Sequence, residues 1–174
     1  MTSKEYIKEL DWSAAIAKAT QKLEKGKKYR EAYLNRGIAR LFSGGKDGKY
    51  KEAIEDLSNA IAQGRNNNQV YYYRAYAFFL DGNYEKAIQD CHKITGKCLT
   101  RPGDCKPEQC PCSGENKVCP HSLELLGKIY MAISDYPKAV CAFSTAMKHY
   151  APRCFPPGLM DLYRESCRKM NSLG

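Results

Sequence analysis

No apolar run in the 174-residue sequence approaches the roughly 18 residues that a membrane-spanning helix needs, and the opening MTSKEYIKELDW lacks the apolar stretch of a signal peptide. The expectation is a cytoplasmic chain with no membrane partner. A phosphate-cradling glycine loop is also missing, because SGGKDGK (43–49) has neither the spacing nor the strand context of one. Charge of one sign is plentiful at +9 but is not gathered anywhere. Lys and Arg outnumber Asp and Glu by 13 to 9 over residues 1–63, by 8 to 6 over 64–120 and by 7 to 4 over 121–174. Such a spread favours acidic partners without drawing a nucleic-acid stripe. The densest basic run, KLEKGKKYR (22–30), reads first as a solvated helix end and second as an anion site. A paired base for a cysteine nucleophile is lacking too. His92 follows Cys91 on a helix, where adjacent side chains point apart, so Cys91 is expected as a small core residue with His92 exposed. Cys141 and Cys167 read as ordinary helix residues, and no enzyme activity is expected.

What is present is repetition. GKYKEAIEDLSNAI (48–61), GNYEKAIQDCHKIT (82–95) and SDYPKAVCAFSTAM (134–147) share a small residue, a polar one, Tyr, two polar residues, Ala and a β-branched residue. Ala53 and Ala87 stand 34 residues apart; Ala87 and Ala139 stand 52 apart, and the surplus of 18 falls in a cysteine-rich stretch. Upstream of each copy is a second amphipathic stretch: AYLNRGIARLF (32–42), VYYYRAYAFFL (70–80) and SLELLGKIYMA (122–132). Gly37, Ala75 and Gly127 align there as small residues where two helices approach closely. The unit is a helix hairpin.

The period, the small residue in the first helix and the Tyr-x-x-Ala entry into the second resemble the tetratricopeptide repeat (TPR) family over nearly the whole chain. The resemblance implies an all-α, right-handed superhelical solenoid of antiparallel helix pairs, each hairpin burying its apolar face on the next. The expected layout is a truncated first repeat (1–29), repeats at 30–67 and 68–97, a Cys-rich insertion loop (98–120), a repeat at 121–152 and a C-terminal capping helix (153–174). In the truncated repeat, Trp12 takes the Tyr place and Ala15 the Ala place, as in a short natural cap or a piece of a longer chain. Within the cap, Leu159, Leu162 and Tyr163 fall on one side.

The family resemblance further implies a concave groove, lined by first helices, that binds a peptide or protein partner. Helix spacing puts Tyr71, Arg74, Ala75 and Phe78 on an inter-helix stripe, with Tyr72, Tyr73, Tyr76 and Phe79 on the other side. Matching places hold Leu34, Asn35, Ile38 and Leu41 in one repeat, and Glu124, Leu125, Lys128 and Met131 in another. The expected partner-binding residues are Leu34, Asn35, Ile38, Tyr72, Tyr73, Tyr76, Phe79, Glu124, Leu125 and Lys128. Tyrosines offer large contact areas with a polar tip, although aromatic stripes also simply fill space between helices. A subgroup of the family clamps the carboxylate tails of heat-shock chaperones. Asn35 keeps one of its positions, but the basic pair falls on Gln69 and Tyr73, so chaperone-tail binding is not expected.

Residues 98–121, CLTRPGDCKPEQCPCSGENKVCPH, connect two repeats and carry five cysteines and a histidine. A structural zinc site would draw on Cys105, Cys110, Cys112 and Cys119, with Cys98 and His121 as substitutes. The spacing is not the paired C-x-x-C of strong zinc signatures, so disulfides, redox chemistry and a loop of unliganded thiols stay open as alternatives. The leading functional expectation is a protein-interaction adaptor or scaffold with a partner that is protein or peptide, possible acidic character included. An RNA-binding solenoid and a structural unit of a larger assembly are the alternatives.

Overall fold

The structure is a computed structural model that describes residues 11–25, 30–43, 49–94, 119–150 and 155–172. Eight helices and no strand occur among the described residues: α1 (Trp12–Glu24), α2 (Arg30–Phe42), α3 (Lys49–Ala62), α4 (Asn68–Leu80), α5 (Tyr84–His92), α6 (Pro120–Ala132), α7 (Tyr136–His149) and α8 (Leu159–Asn171). They fall into two compact units that divide between Asn66 and Asn67.

Local sequence explains where the helices begin. Asp11, Asn67, Asn83 and Asp135 cap α1, α4, α5 and α7, each accepting from the backbone N–H three residues on. Helix α6 has no side-chain cap and instead starts with Pro120, whose fixed φ suits a first turn and whose missing N–H would have been unpaired there anyway. The α4–α5 turn uses Gly82 at φ +79°, and the α6–α7 turn puts Ser134 in the same left-handed region at φ +62°.

In the first unit α2 packs on both α1 and α3. Ala32, Leu34, Ala39 and Leu41 of α2 are buried, as are Ala53, Leu57 and Ala60 of α3. Gly37 makes the approach possible, since a Cβ there would lie 2.8 Å from Leu57 Cγ. A buried carboxylate crosses the same interface. Arg36 donates to both oxygens of Asp56 at 2.7 and 2.9 Å, and Arg40 Nη1 reaches Asp56 Oδ2 at 2.6 Å.

In the second unit each helix packs on its successor, while α4 also touches α6 and α6 touches α8. Gly127 faces the Phe143 ring, where an added Cβ would overlap ring carbons. Arg74 holds buried Asp90 through two bonds of 2.6 and 2.8 Å, repeating the Arg36–Asp56 pairing. The places that correspond in α6 and α7 are Leu126 and Ala142, both buried. In one hairpin two buried apolar residues therefore stand where the others hold an ion pair. At the end of the unit, buried Phe143, Ala146, Tyr150 and Leu159 form a core against which Leu162 and Tyr163 of α8 pack.

Candidate functional site

Helix α4 brings its aromatic residues together as a chain of rings. Tyr72 stacks parallel to Tyr76 at 6.5 Å, Tyr76 on Phe79 at 6.3 Å, and Phe79 lies 6.1 Å from Tyr84 of α5. The i, i+4 and i, i+3 spacing of 72, 76 and 79 is what sets three rings on one helix face. From Tyr72 the chain continues edge-on to Tyr73 at 5.7 Å and to His121 of α6 at 6.5 Å, then from His121 to Tyr150 at 5.1 Å. Phe155, exposed, closes it at 6.2 Å from Tyr150.

Glu124 provides the polar part of this surface. Its Oε2 accepts from the Tyr150 hydroxyl at 2.8 Å and its Oε1 pairs with Lys128 at 2.5 Å, one turn along α6. Burial raises the Tyr150 hydroxyl well above the usual tyrosine range, and the Glu124 charge adds to the effect. Tyr72 is raised in the same way, by burial first and Glu124 second. Both remain neutral hydroxyls at physiological pH. Burial also lowers the pKa of His121, against an opposing pull from Glu124.

Two of the expected groove residues are corrected by the structure. Leu34 and Leu125 are each only 2% exposed and belong to the core. On α2, Leu34 lies one turn from Gly37 and two from Leu41, so the 3.6-residue period turns it toward α3. On α6, Leu125 and Ile129 share the buried face while Glu124 and Lys128 stand beside it. The remaining expected residues divide between the units. Tyr72, Tyr73, Tyr76, Phe79, Glu124 and Lys128 are on α4 and α6, whereas Asn35 is exposed and Ile38 half-buried in the first unit. There, Asn35 and Ile38 line a cavity of about 640 Å³ together with α1.

The expected zinc ligands Cys98, Cys105, Cys110 and Cys112 lie outside the described residues. Cys119 is fully buried, with Sγ 3.9 Å from His121 Nδ1. Among the described residues no three His, Cys, Asp or Glu side chains gather as a metal site. Cys91 is buried, His92 and Cys141 are exposed, and Cys167 is half-buried. Sequence reasoning missed Tyr84, Tyr150 and Phe155 as members of the ring chain, because they arrive from other helices or from a loop. It also missed the Arg–Asp pairs, which do carry a signal: an Arg just before the small residue of one helix with an Asp three places after the Ala of the next.

The described fold is thus that of an all-α helical-hairpin repeat protein. Residues 45–96 match the family model described as "Tetratricopeptide repeat". In structure the chain resembles MamA, with 16% identity, a TM-score of 0.61 and coverage of 93% of this chain and 90% of that one. It also resembles the TPR domain of Arabidopsis OM64, with 16% identity, a TM-score of 0.59 and coverage of 80% and 94%. A thermophilic TPR protein of Thermus thermophilus matches with 13% identity, a TM-score of 0.59 and coverage of 90% and 72%. At these identities the likeness speaks for the fold alone. No curated protein matches the chain in sequence. Residues 45–96 thus match the tetratricopeptide repeat in sequence, and the described fold around them is like that of TPR proteins. No helix among the described residues is long and apolar enough to cross a membrane.

Proposed function

We propose that the chain is a non-catalytic protein-interaction module whose ring-lined face on α4 and α6 receives a peptide segment of a partner protein in the cytoplasm. The observation that carries this reading is the continuous chain of rings from Tyr84 through Phe79, Tyr76 and Tyr72 to His121, with the Glu124–Lys128 pair beside it. Tyrosines on a rigid helix give large contact areas at small entropic cost and present polar tips for orientation. The net charge of +9 favours a partner with acidic residues. A random peptide library displayed on phage and selected on the intact chain tests the reading. Enriched peptides should lose about 1–2 kcal/mol of affinity on Tyr73→Ala or Tyr76→Ala. Selection of no peptide, or peptides indifferent to both substitutions, would refute it.

The proximity of Cys119 Sγ and His121 Nδ1 favours a second reading for the Cys-rich segment. Imidazole and thiolate are donors that zinc takes, and in this reading Cys105, Cys110, Cys112 and Cys119 would hold it, with Cys98 and His121 as substitutes. Elemental mass spectrometry on protein purified without chelator or added zinc should find close to one zinc per chain. Metal-free protein with every thiol reactive would exclude it.

A further inference from the structure

The cavity of about 640 Å³ in the first unit is an open groove between α1 and α2. Its floor is apolar: Ala15 and Ala19 of α1 face Ala32 and Ala39 of α2, with Ile38 and Trp12 at the sides. Ala19, Ala32 and Ala39 are at most 5% exposed, and their small side chains let another helix backbone come close. Trp12 is braced by Phe42, whose ring stacks on it at 5.8 Å.

The rim is cationic on one side. Lys18, Lys22 and Lys25 of α1 and its C-cap border the groove, and all three are exposed. Their spacing of four and three residues sets three ammonium groups in a row about 10 Å long, close to two helical turns. None of the three forms an ion pair with a described residue. The acidic lining residue, Glu31, is already held by Arg65 at 2.9 Å, so it neutralises none of them. Lys22 and Lys25 come from the dense basic run of the sequence, which thereby gains a location.

We propose that the α1–α2 groove docks an acidic amphipathic helix of a partner protein, its apolar side on the alanine floor and its carboxylates, one and two turns apart, on Lys18, Lys22 and Lys25. Complementary charge selects this occupant. An apolar peptide would offer the three ammonium groups no counter-charge, and a basic one would meet repulsion. The ion pairs lie at the surface, so added salt weakens the complex. The groove belongs to the first unit and the ring-lined face to the second, so either proposal can hold without the other.

Trp12, the chain's single tryptophan, makes occupancy measurable without a label. The experiment titrates the full chain with a synthetic, Trp-free helical peptide that carries leucines on one face and glutamates on the other. Controls are the same peptide with lysine in place of glutamate, and phosphatidylserine vesicles. A saturable blue shift of Trp12 emission is expected with the glutamate peptide alone. The double variant K18E/K22E should bind that peptide at least about tenfold more weakly and should now accept the lysine peptide. Both side chains are exposed, so the variant keeps the fold, and unchanged helical circular dichroism checks this. Tyr73→Ala should leave the titration unchanged. The proposal is overturned if Trp12 does not respond to the glutamate peptide, if charge reversal leaves the affinity unaltered, or if vesicles elicit the response and the peptide does not. A Trp12 shift that depends only on protein concentration would assign the groove to a second copy of this chain and overturn it equally.

Discussion

At the scale of single residues, two glycines do different work. Gly127 is small for want of space, because a Cβ would overlap the Phe143 ring at the centre of the α6–α7 contact. Gly82 has open space around it, and what it supplies is the left-handed backbone of a turn at φ +79°. Gly127→Ala should therefore cost about 1–3 kcal/mol by overpacking, and Gly82→Ala about 1 kcal/mol by backbone strain alone. Urea melts would show both losses. A variant pairing Gly127→Ala with Phe143→Leu should recover part of the first loss, while no neighbouring substitution recovers the second. Cys91 makes a prediction in pH. Burial, followed by the Asp90 charge, pushes its thiol from the ordinary 9.0 up to about 12. The folded state favours the neutral thiol, so its contribution to stability is complete below pH 9.0 and is lost as pH rises toward about 12. Tyr72 and Tyr150, also raised by burial, add to the loss in alkali. Stability measured against pH should fall across that window, and less steeply in Cys91→Ala. At neutral pH iodoacetamide should modify exposed Cys141 well before buried Cys91.

At the scale of elements, the repeated hairpins solve one problem in two ways. In α2–α3 and α4–α5 an Asp buried between helices is held by Arg, whereas in α6–α7 the same places hold Leu126 and Ala142. Removing only one partner of a buried pair strands the other charge, while replacing both with fitting apolar groups is close to neutral. Asp90→Ala should thus destabilise the chain by about 3 kcal/mol, and the double variant R74L/D90A, which copies the third hairpin, by less than half as much. A thermodynamic cycle with Arg74→Leu measures the coupling, and additive losses would mean that the pair contributes nothing as a pair. The hairpins themselves were legible in sequence. Tyr-x-x-Ala entries and small residues at 37, 75 and 127 are local features, and the stretches that carry them are helical in the structure. Direction around each helix was harder to read. Leu34 and Asn35 are neighbours in sequence yet one is core and the other exposed, because adjacent helix positions differ by about 100° and a stripe drawn one residue too wide takes in the buried edge.

At the scale of the molecule, the described residues of the two units form unequal cores. The first buries Leu34, Leu41 and Leu57 among alanines, while the second buries Phe78, Leu125, Leu126, Ile129, Phe143, Tyr150 and Leu159. Apolar area removed from water is the main source of stability, so the first unit should open at the lower temperature. Trp12 belongs to that unit, and its fluorescence should report a midpoint below the one seen by far-ultraviolet circular dichroism. Coincident midpoints would show that both units unfold as one.

The sequence by itself determined the repeat and its period, since each follows from a few residues acting on their own backbone. It also pointed to the aromatic face of α4, because residues 72, 76 and 79 are brought together by helix geometry alone. Only the tertiary structure decided what joins that face from elsewhere: His121 and Tyr150 across α6 and α7, and the carboxylate of Glu124 bonded to a hydroxyl 26 residues away. The lysine-rimmed groove belongs to the same class. Lys22 and Lys25 read in sequence as solvated charge, and with Lys18 they become one edge of a cavity when α2 sets Ala32 and Ala39 opposite Ala15 and Ala19. The physical reason is range: capping and periodicity act within a few residues, whereas a surface is made by side chains that only packing brings together.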